Sequence, residues 1–174
     1  MAMQVRVLAE PLSQAAYAPF GAVISADRTD VAGGPANQGT AARRDFLATI
    51  EDLRPGKARL NLAAFRCAPR APFPARLTLL EKHPASTQIF LPMNARRYLV
   101  VVAPGKGRPE LAGARAFLAG PTQGVSYAPG TWHHPMIALD ETTDFACLVW
   151  EDGTAADCVV FDLPGDVELT VELR

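Results

Sequence analysis

Residues 96–104, RRYLVVVAP, decide how this chain folds. Val100, Val101 and Val102 are consecutive and β-branched, a side-chain type that packs well on a pleated surface and crowds a helix. Pro104 closes the run, which has the length of a strand. Similar segments recur on both sides. LNLAAFRCA (60–68) and STQIFLPM (86–93) precede it; ARAFLAG (114–120), GVSYAP (124–129), TDFACLVWED (143–152) and CVVFDL (158–163) follow it. VELTVELR (167–174) alternates apolar and charged residues, as a half-exposed strand does. Fifteen prolines and thirteen glycines separate these runs. Many short strands with little helix imply an all-β antiparallel sandwich or barrel.

Helical signals are few. Leu12–Tyr17 predicts a short helix, with Ser13 near its start and Pro19 beyond its end, and Pro74 to Leu80 predicts another turn. Neither an internal repeat nor a linker divides the chain, so residues 1–174 are expected to form one domain. The polar, glycine-rich stretch DRTDVAGGPANQ (27–38) reads as a loop of the kind that covers a site.

Composition narrows the function classes. Of 174 residues, 49% are apolar and 20% charged, which suits a globular protein with a substantial core. Seventeen basic and eighteen acidic residues leave a formal net charge of −1, so neither a nucleic-acid face nor a basic membrane patch is expected. Cys67, Cys147 and Cys158 fit neither a zinc ribbon nor a disulfide framework and read as small buried hydrophobes in a reducing compartment. No apolar run is long enough for a transmembrane helix, and MAMQVRVLAEPL lacks the pattern of a signal peptide. A cytoplasmic protein with a small-molecule substrate is the expectation.

Only three histidines are present, and they mark two places. In LLEKHPASTQ (79–88), an extended backbone puts Glu81 and His83 on one face and Lys82 on the other, with Gln88 following a turn at Pro84. A carboxylate, an imidazole and an amide then converge; the plainer alternative is a surface Glu–Lys pair beside a partly exposed histidine. In GVSYAPGTWHHP (124–135), Pro129 and Gly130 form a turn, and His133 and His134 face opposite sides of the strand that follows. One enters the interior and the other lies at the rim or outside; alternatively both are solvated loop histidines.

Together the two segments resemble the paired motifs of the cupin superfamily. Glu81-Lys82-His83 stands where the first cupin motif has His-x-His, and Gln88 stands where it has Glu. Gly124, Gly130, Thr131, Trp132 and His133 match the second motif, with Pro129 displaced by one position. This implies a cupin-type double-stranded β-helix, a jelly-roll barrel with one or two short helices. The resemblance narrows further. LEKHPASTQIFLPM (80–93) and QGVSYAPGTWHHPM (123–136) look like the two signatures of the ureidoglycolate lyase family. PLSQAAYAPFGAVI (11–24), NQGTAARRDFLA (37–48), LNLAAFRCAPR (60–70) and AFLAG (116–120) are similar to its flanking stretches. The likeness covers roughly residues 4–163. It departs at LVWEDG (148–153), where the family more often has an Asp-Arg pair before the glycine.

The family likeness implies a lyase that splits ureidoglycolate into glyoxylate and urea, a homodimer, and nickel, with no organic cofactor. The reaction requires a held carboxylate, a base for the hydroxyl, an acid for the leaving nitrogen and a donor for the new carbonyl. Histidine suits the proton steps, because its ordinary pKa of about 6.5 is close to the working pH. His83 and His133 are the expected acid–base residues, with Glu81 orienting an imidazole or accepting the proton itself if burial raises its pKa. His134 is the acid if it reaches the mouth and structural otherwise. Gln88 would contact the nascent carbonyl or the urea group. Arg43, with Asn37 beside it, is selected by the likeness to bind the carboxylate through its planar fork. His83, Gln88 and His133 would be the metal ligands. Lys82 is expected to point outward into a surface pair. The rival readings are a metal-dependent cupin dioxygenase or isomerase, a cupin binding module without catalysis, and an amidohydrolase that releases ammonia. The first and last require a richer ligand set than three histidines provide.

Overall fold

The strand Tyr98–Ala103 is apolar at every position because both of its faces are covered. In the computed structural model, which describes residues 3–173, Tyr98, Val100 and Val102 enter one core with Phe90, Phe117, Val125 and Phe145. Leu99, Val101 and Ala103 enter a second core with Leu77, Leu80, Trp132 and Leu169. Side chains alternate along a strand, so a strand between two cores reads as an unbroken hydrophobic run.

The first core lies between two large sheets. One has the order Val159–Asp162, Leu79–Lys82, Trp132–His133, Tyr98–Ala103, Arg115–Ala119, Glu10–Pro11, with Ile137–Ala138 also on Tyr98–Ala103. The other runs Gly21–Ile24, Gly124–Tyr127, Gln88–Pro92, Thr143–Glu151, Arg59–Cys67, all antiparallel. From Leu79 onward the chain winds back and forth between these sheets. That winding is a jelly roll, so the fold is the all-β, cupin-type barrel expected. The second core is closed by a three-stranded sheet in which Val167–Glu172 lies between Met3–Leu8 and Ala75–Leu77.

The short helix is Gln14–Tyr17, and the Ser13 side chain caps it by accepting from the Ala16 amide at 3.3 Å. The second helical expectation fails. Residues 74–80 instead form the strands Ala75–Leu77 and Leu79–Lys82, because Leu77 and Leu80 bury apolar surface in the second core, Ala75 is also buried, and no helical stripe competes. Short 3₁₀ turns occur at Asn37–Gly39 and Leu111–Gly113. The expected loop 27–38 is only partly irregular: Gly33–Ala36 pairs with Ala41–Arg44 in a hairpin arm. Among the described residues, no helix is long and apolar enough to cross a membrane.

Two features of the five-stranded sheet bear on assembly. The strand Arg59–Cys67 is its last strand, and its outward Leu60 and Leu62 are 45% and 71% exposed. The arm that precedes it carries Phe46, which is 95% exposed.

Candidate active site

Glu81 and His133 are register partners in adjacent strands, so their side chains emerge on the same inner face. Lys82 leaves on the other face, as the period-two reading requires. Among the described residues it forms no carboxylate pair there; its ammonium lies 4.4 Å from the centre of the Trp132 ring, and it donates to the Lys106 carbonyl. His83 follows the end of its strand. Its carbonyl accepts from the Gly130 amide at 2.9 Å, which ties the His83 turn to the turn before His133. Gly130 has φ +80°, a conformation that an L side chain strains to adopt, and this tight turn brings the two histidine segments together.

The His133 ring is held on three sides. Its Nδ1 donates to the Thr131 carbonyl at 2.9 Å, since a carbonyl can only accept. Tyr127 stacks on it with centroids 3.8 Å apart and planes 7° apart. The His83 ring lies nearly parallel at 5.8 Å. The remaining nitrogen, Nε2, is turned toward Glu81 and lies 3.6 Å from its Oε1. On a neutral ring that nitrogen is a bare acceptor, so a proton or a cation between it and the carboxylate stabilises the contact.

Several other inner polar atoms lack hydrogen-bond partners among the described residues. His83 is 7% exposed, and neither of its ring nitrogens is bonded among the described residues. Gln88 is buried at the start of its strand, opposite Tyr127 and Val149, with its Oε1 unbonded. Its position is fixed from the preceding residues: the Thr87 hydroxyl donates to the Thr49 carbonyl, and Ser86 Oγ accepts from the Trp150 amide. Buried polar atoms without partners cost about 1–3 kcal/mol each, and such a concentration marks a place where a ligand completes the bonding.

Burial and mutual charge set the titration of the cluster. Burial would raise the Glu81 carboxyl, but the adjacent His133, with His83 and His134, outweighs it and holds the carboxyl below its usual value. This runs against the expectation of a raised carboxyl at Glu81 and keeps it ionised beside the imidazoles. Burial lowers His83 first and the neighbouring His133 lowers it further, against weaker upward pulls from Glu81 and the Asp157 backbone. His83 is therefore neutral at neutral pH. His134 is also lowered by burial, and its Nδ1 donates to the Pro135 carbonyl at 2.7 Å. No hydrogen bond or ring contact joins it to Glu81, His83 or His133 among the described residues, which fits the structural alternative for this residue.

Cys158 was expected to be an inert hydrophobe. The strand Val159–Asp162 pairs with Leu79–Lys82, and this brings the Cys158 thiol to Glu81, where it donates to Oε2 at 3.8 Å. Burial and the Glu81 charge push the thiol up to about 11. Donor atoms of Glu81, His83 and Cys158 all lie within 4.8 Å of one another. The loop before Cys158 is pinned by Arg54, which pairs with Asp152 at 2.9 Å and Asp157 at 2.6 Å. Cys147 is buried and Cys67 half-buried, as expected of small hydrophobes.

Arg43 and Asn37 are not brought to this cluster by any contact among the described residues. Both lie on the exposed hairpin arm, where Arg43 pairs with Asp45 at 2.6 Å. A cleft of about 410 Å³ lined by Arg59, Asn61, Glu151 and Asp152 adjoins the cluster through Glu151, whose charge acts on His83 and Cys158.

A family model described as "Ureidoglycolate lyase" matches residues 4–170. Three relatives, each named "Ureidoglycolate lyase", align along most of the chain. The protein of Burkholderia mallei is 45% identical over 162 residues, 92% of this chain and 91% of the relative. That of Burkholderia cepacia is 44% identical over 151 residues, 86% and 81%. That of Escherichia coli is 37% identical over 162 residues, 93% and 96%.

Proposed function

The chain belongs to the ureidoglycolate lyase family, and from that premise we propose that the buried Glu81–His83–His133 cluster is where it cleaves ureidoglycolate to glyoxylate and urea. The observation that supports this placement most is the set of unbonded nitrogens, on His83 and on His133, that converge beside one carboxylate inside the barrel.

The substrate, HO–CH(COO⁻)–NH–CO–NH₂, loses a proton from its hydroxyl while the C–N bond breaks. The electrons of that bond go to nitrogen, which gains a proton, and the hydroxyl oxygen becomes the aldehyde oxygen of glyoxylate. No water is consumed. His83, neutral and unbonded, accepts the hydroxyl proton. His133 delivers a proton from Nε2 to the urea nitrogen, with Thr131 fixing the ring and Glu81 balancing its charge. Gln88 supplies an amide to the new carbonyl or the urea group. Acid–base help of this kind is worth about 10²–10⁴-fold.

The carboxylate of the substrate calls for a cation. Arg43 is the family-implied fork, and its hairpin must fold over the cluster, or over that of a second copy, to reach it. Arg59 in the adjoining cleft is the competing cation. Arg43→Ala is expected to raise KM by about tenfold or more with a smaller change in kcat, the loss of a charge-assisted contact. The same effect from Arg59→Ala alone would move the assignment there.

The family likeness also implies nickel, and the unbonded donors fit a borderline divalent ion. His83, with Gln88 and His133 or with Glu81 and Cys158, would hold it, and it would supply Lewis acidity toward the substrate's oxygens. The protein is further proposed to act as a single domain in the cytoplasm and as a homodimer. The unpaired edge of Arg59–Cys67 and the exposed Leu60 and Leu62 support a second copy as the partner.

Separate assay of glyoxylate, urea and ammonia from purified protein and ureidoglycolate tests the reaction. Equimolar glyoxylate and urea without ammonia is the expected result. Ammonia in place of urea would indicate the amidohydrolase, and no turnover, with or without nickel, would leave a binding module.

A further inference from the structure

We propose that Cys158 is a metal ligand of this site, and that Glu81, His83 and Cys158 together form an oxygen–nitrogen–sulfur set selective for borderline divalent ions over magnesium or calcium. The inference deepens the reading of the cluster above and rests on it. Three observations carry it. The three donor atoms lie within 4.8 Å of one another although Cys158 is 77 residues from Glu81 in sequence. The imidazole that completes the set is 7% exposed, and among the described residues neither of its nitrogens meets hydrogen-bond geometry, the Asp157 backbone being only a weak polar influence on it. The His133 Nε2 is turned toward the same carboxylate at 3.6 Å while its Nδ1 is bonded to the Thr131 carbonyl. The Thr131 carbonyl thus fixes His133 with its free nitrogen facing the set, so the carboxylate is shared between the site and an oriented imidazole.

The surroundings keep the set in place. Arg54 clamps Asp152 and Asp157, so the residue before Cys158 is held by an ion pair and two backbone amides that donate to the Asp157 carboxylate. The pairing of Val159 with Lys82 fixes Cys158 against the Glu81 strand. On ligation the thiol gives its proton to solvent and the sulfur binds as thiolate. Thiolate with imidazole and one carboxylate suits nickel, cobalt or zinc, whereas magnesium and calcium prefer oxygen alone. With an ion on His83, His133 takes over the base role as well, accepting the hydroxyl proton at Nε2 and passing it to the urea nitrogen.

The test is a titration of the metal-stripped full chain with Co²⁺, without substrate. A near-ultraviolet sulfur-to-cobalt charge-transfer band that saturates at one equivalent is expected. It should be lost in Cys158→Ser, retained in Cys67→Ser and Cys147→Ser, and unaffected by excess Mg²⁺. Cobalt affinity in Cys158→Ser should fall by at least the roughly 10–100-fold that loss of a mere outer partner costs. As a check that needs no variant, Co²⁺ but not Mg²⁺ should slow alkylation of wild-type Cys158 at least tenfold, read by peptide mass spectrometry. No charge-transfer band in the wild type, a band that survives in Cys158→Ser, or a Cys158 that Co²⁺ leaves unprotected would overturn the assignment. A protein that makes glyoxylate and urea yet fails these tests keeps its lyase reading and loses only this ligand.

Discussion

His83 shows how burial keeps an imidazole neutral. Its ring sits inside the barrel, where burial and the neighbouring His133 outweigh the weaker support of Glu81 and the Asp157 backbone for a proton. In metal-stripped protein its ring should therefore titrate below the ordinary value of about 6.5 in an NMR pH series. A midpoint above that value would mean that Glu81 outweighs burial. The sign for stability follows. A lowered folded pKa means that the unfolded chain binds more protons, so the fold loses stability as pH falls below about 6.5. Glu81, also lowered, adds a second loss as pH falls through the carboxylate range. Acid denaturation monitored by circular dichroism should begin at higher pH in the wild type than in His83→Phe. The sequence made Glu81, His83 and His133 legible because strand alternation and two histidine-bearing turns leave few arrangements. It could not reveal Cys158 or the Tyr127 ring stacked on His133, because strand neighbours distant in sequence bring them there.

At the scale of elements, close approach of strands positions the site. A Cβ on Gly124 would lie 2.6 Å from Leu91 Cδ2 and 2.8 Å from the Phe90 carbonyl oxygen. Gly124→Val should therefore push apart the strands that carry Tyr127 and Gln88, costing about 1–3 kcal/mol in chemical denaturation. Unchanged stability would mean that the sheet yields easily there. Arg54→Ala should loosen the loop before Cys158, lower the melting temperature, and speed Cys158 alkylation more than Cys147 alkylation. The eight strands with long apolar or alternating runs were readable, with bounds within a residue or two of those observed, whereas Met3–Leu8, Gly21–Ile24 and the shortest strands were not. The hairpin Gly33–Arg44 was not, because GGPA carries no β-branched residue and pairs only with AARR. The misread turn at residues 74–80 had a similar cause: two prolines broke a strand signal that the second core enforces.

As a whole, the barrel buries its chemistry between two sheets and leaves apolar groups on its outside. Leu62, 71% exposed beside Leu60 on the last strand of the five-stranded sheet, is where a second copy would cover the edge. Light scattering should give a dimer mass for the wild type and a monomer mass for Leu62→Asp; a dimer that survives the substitution would place the interface elsewhere. The hairpin arm with Arg43 and the 95%-exposed Phe46 lies outside this body, so Arg43 is a carboxylate-binding candidate by family likeness alone, with no support from packing. The central claim is that the buried histidine cluster, not an exposed cleft, performs the lyase reaction. Its most direct test is kcat/KM for His83→Asn with ureidoglycolate, alongside the circular dichroism of the variant. A folded variant with kcat/KM reduced by about 10²–10⁴-fold is the predicted result. A folded variant with wild-type kcat/KM would contradict it.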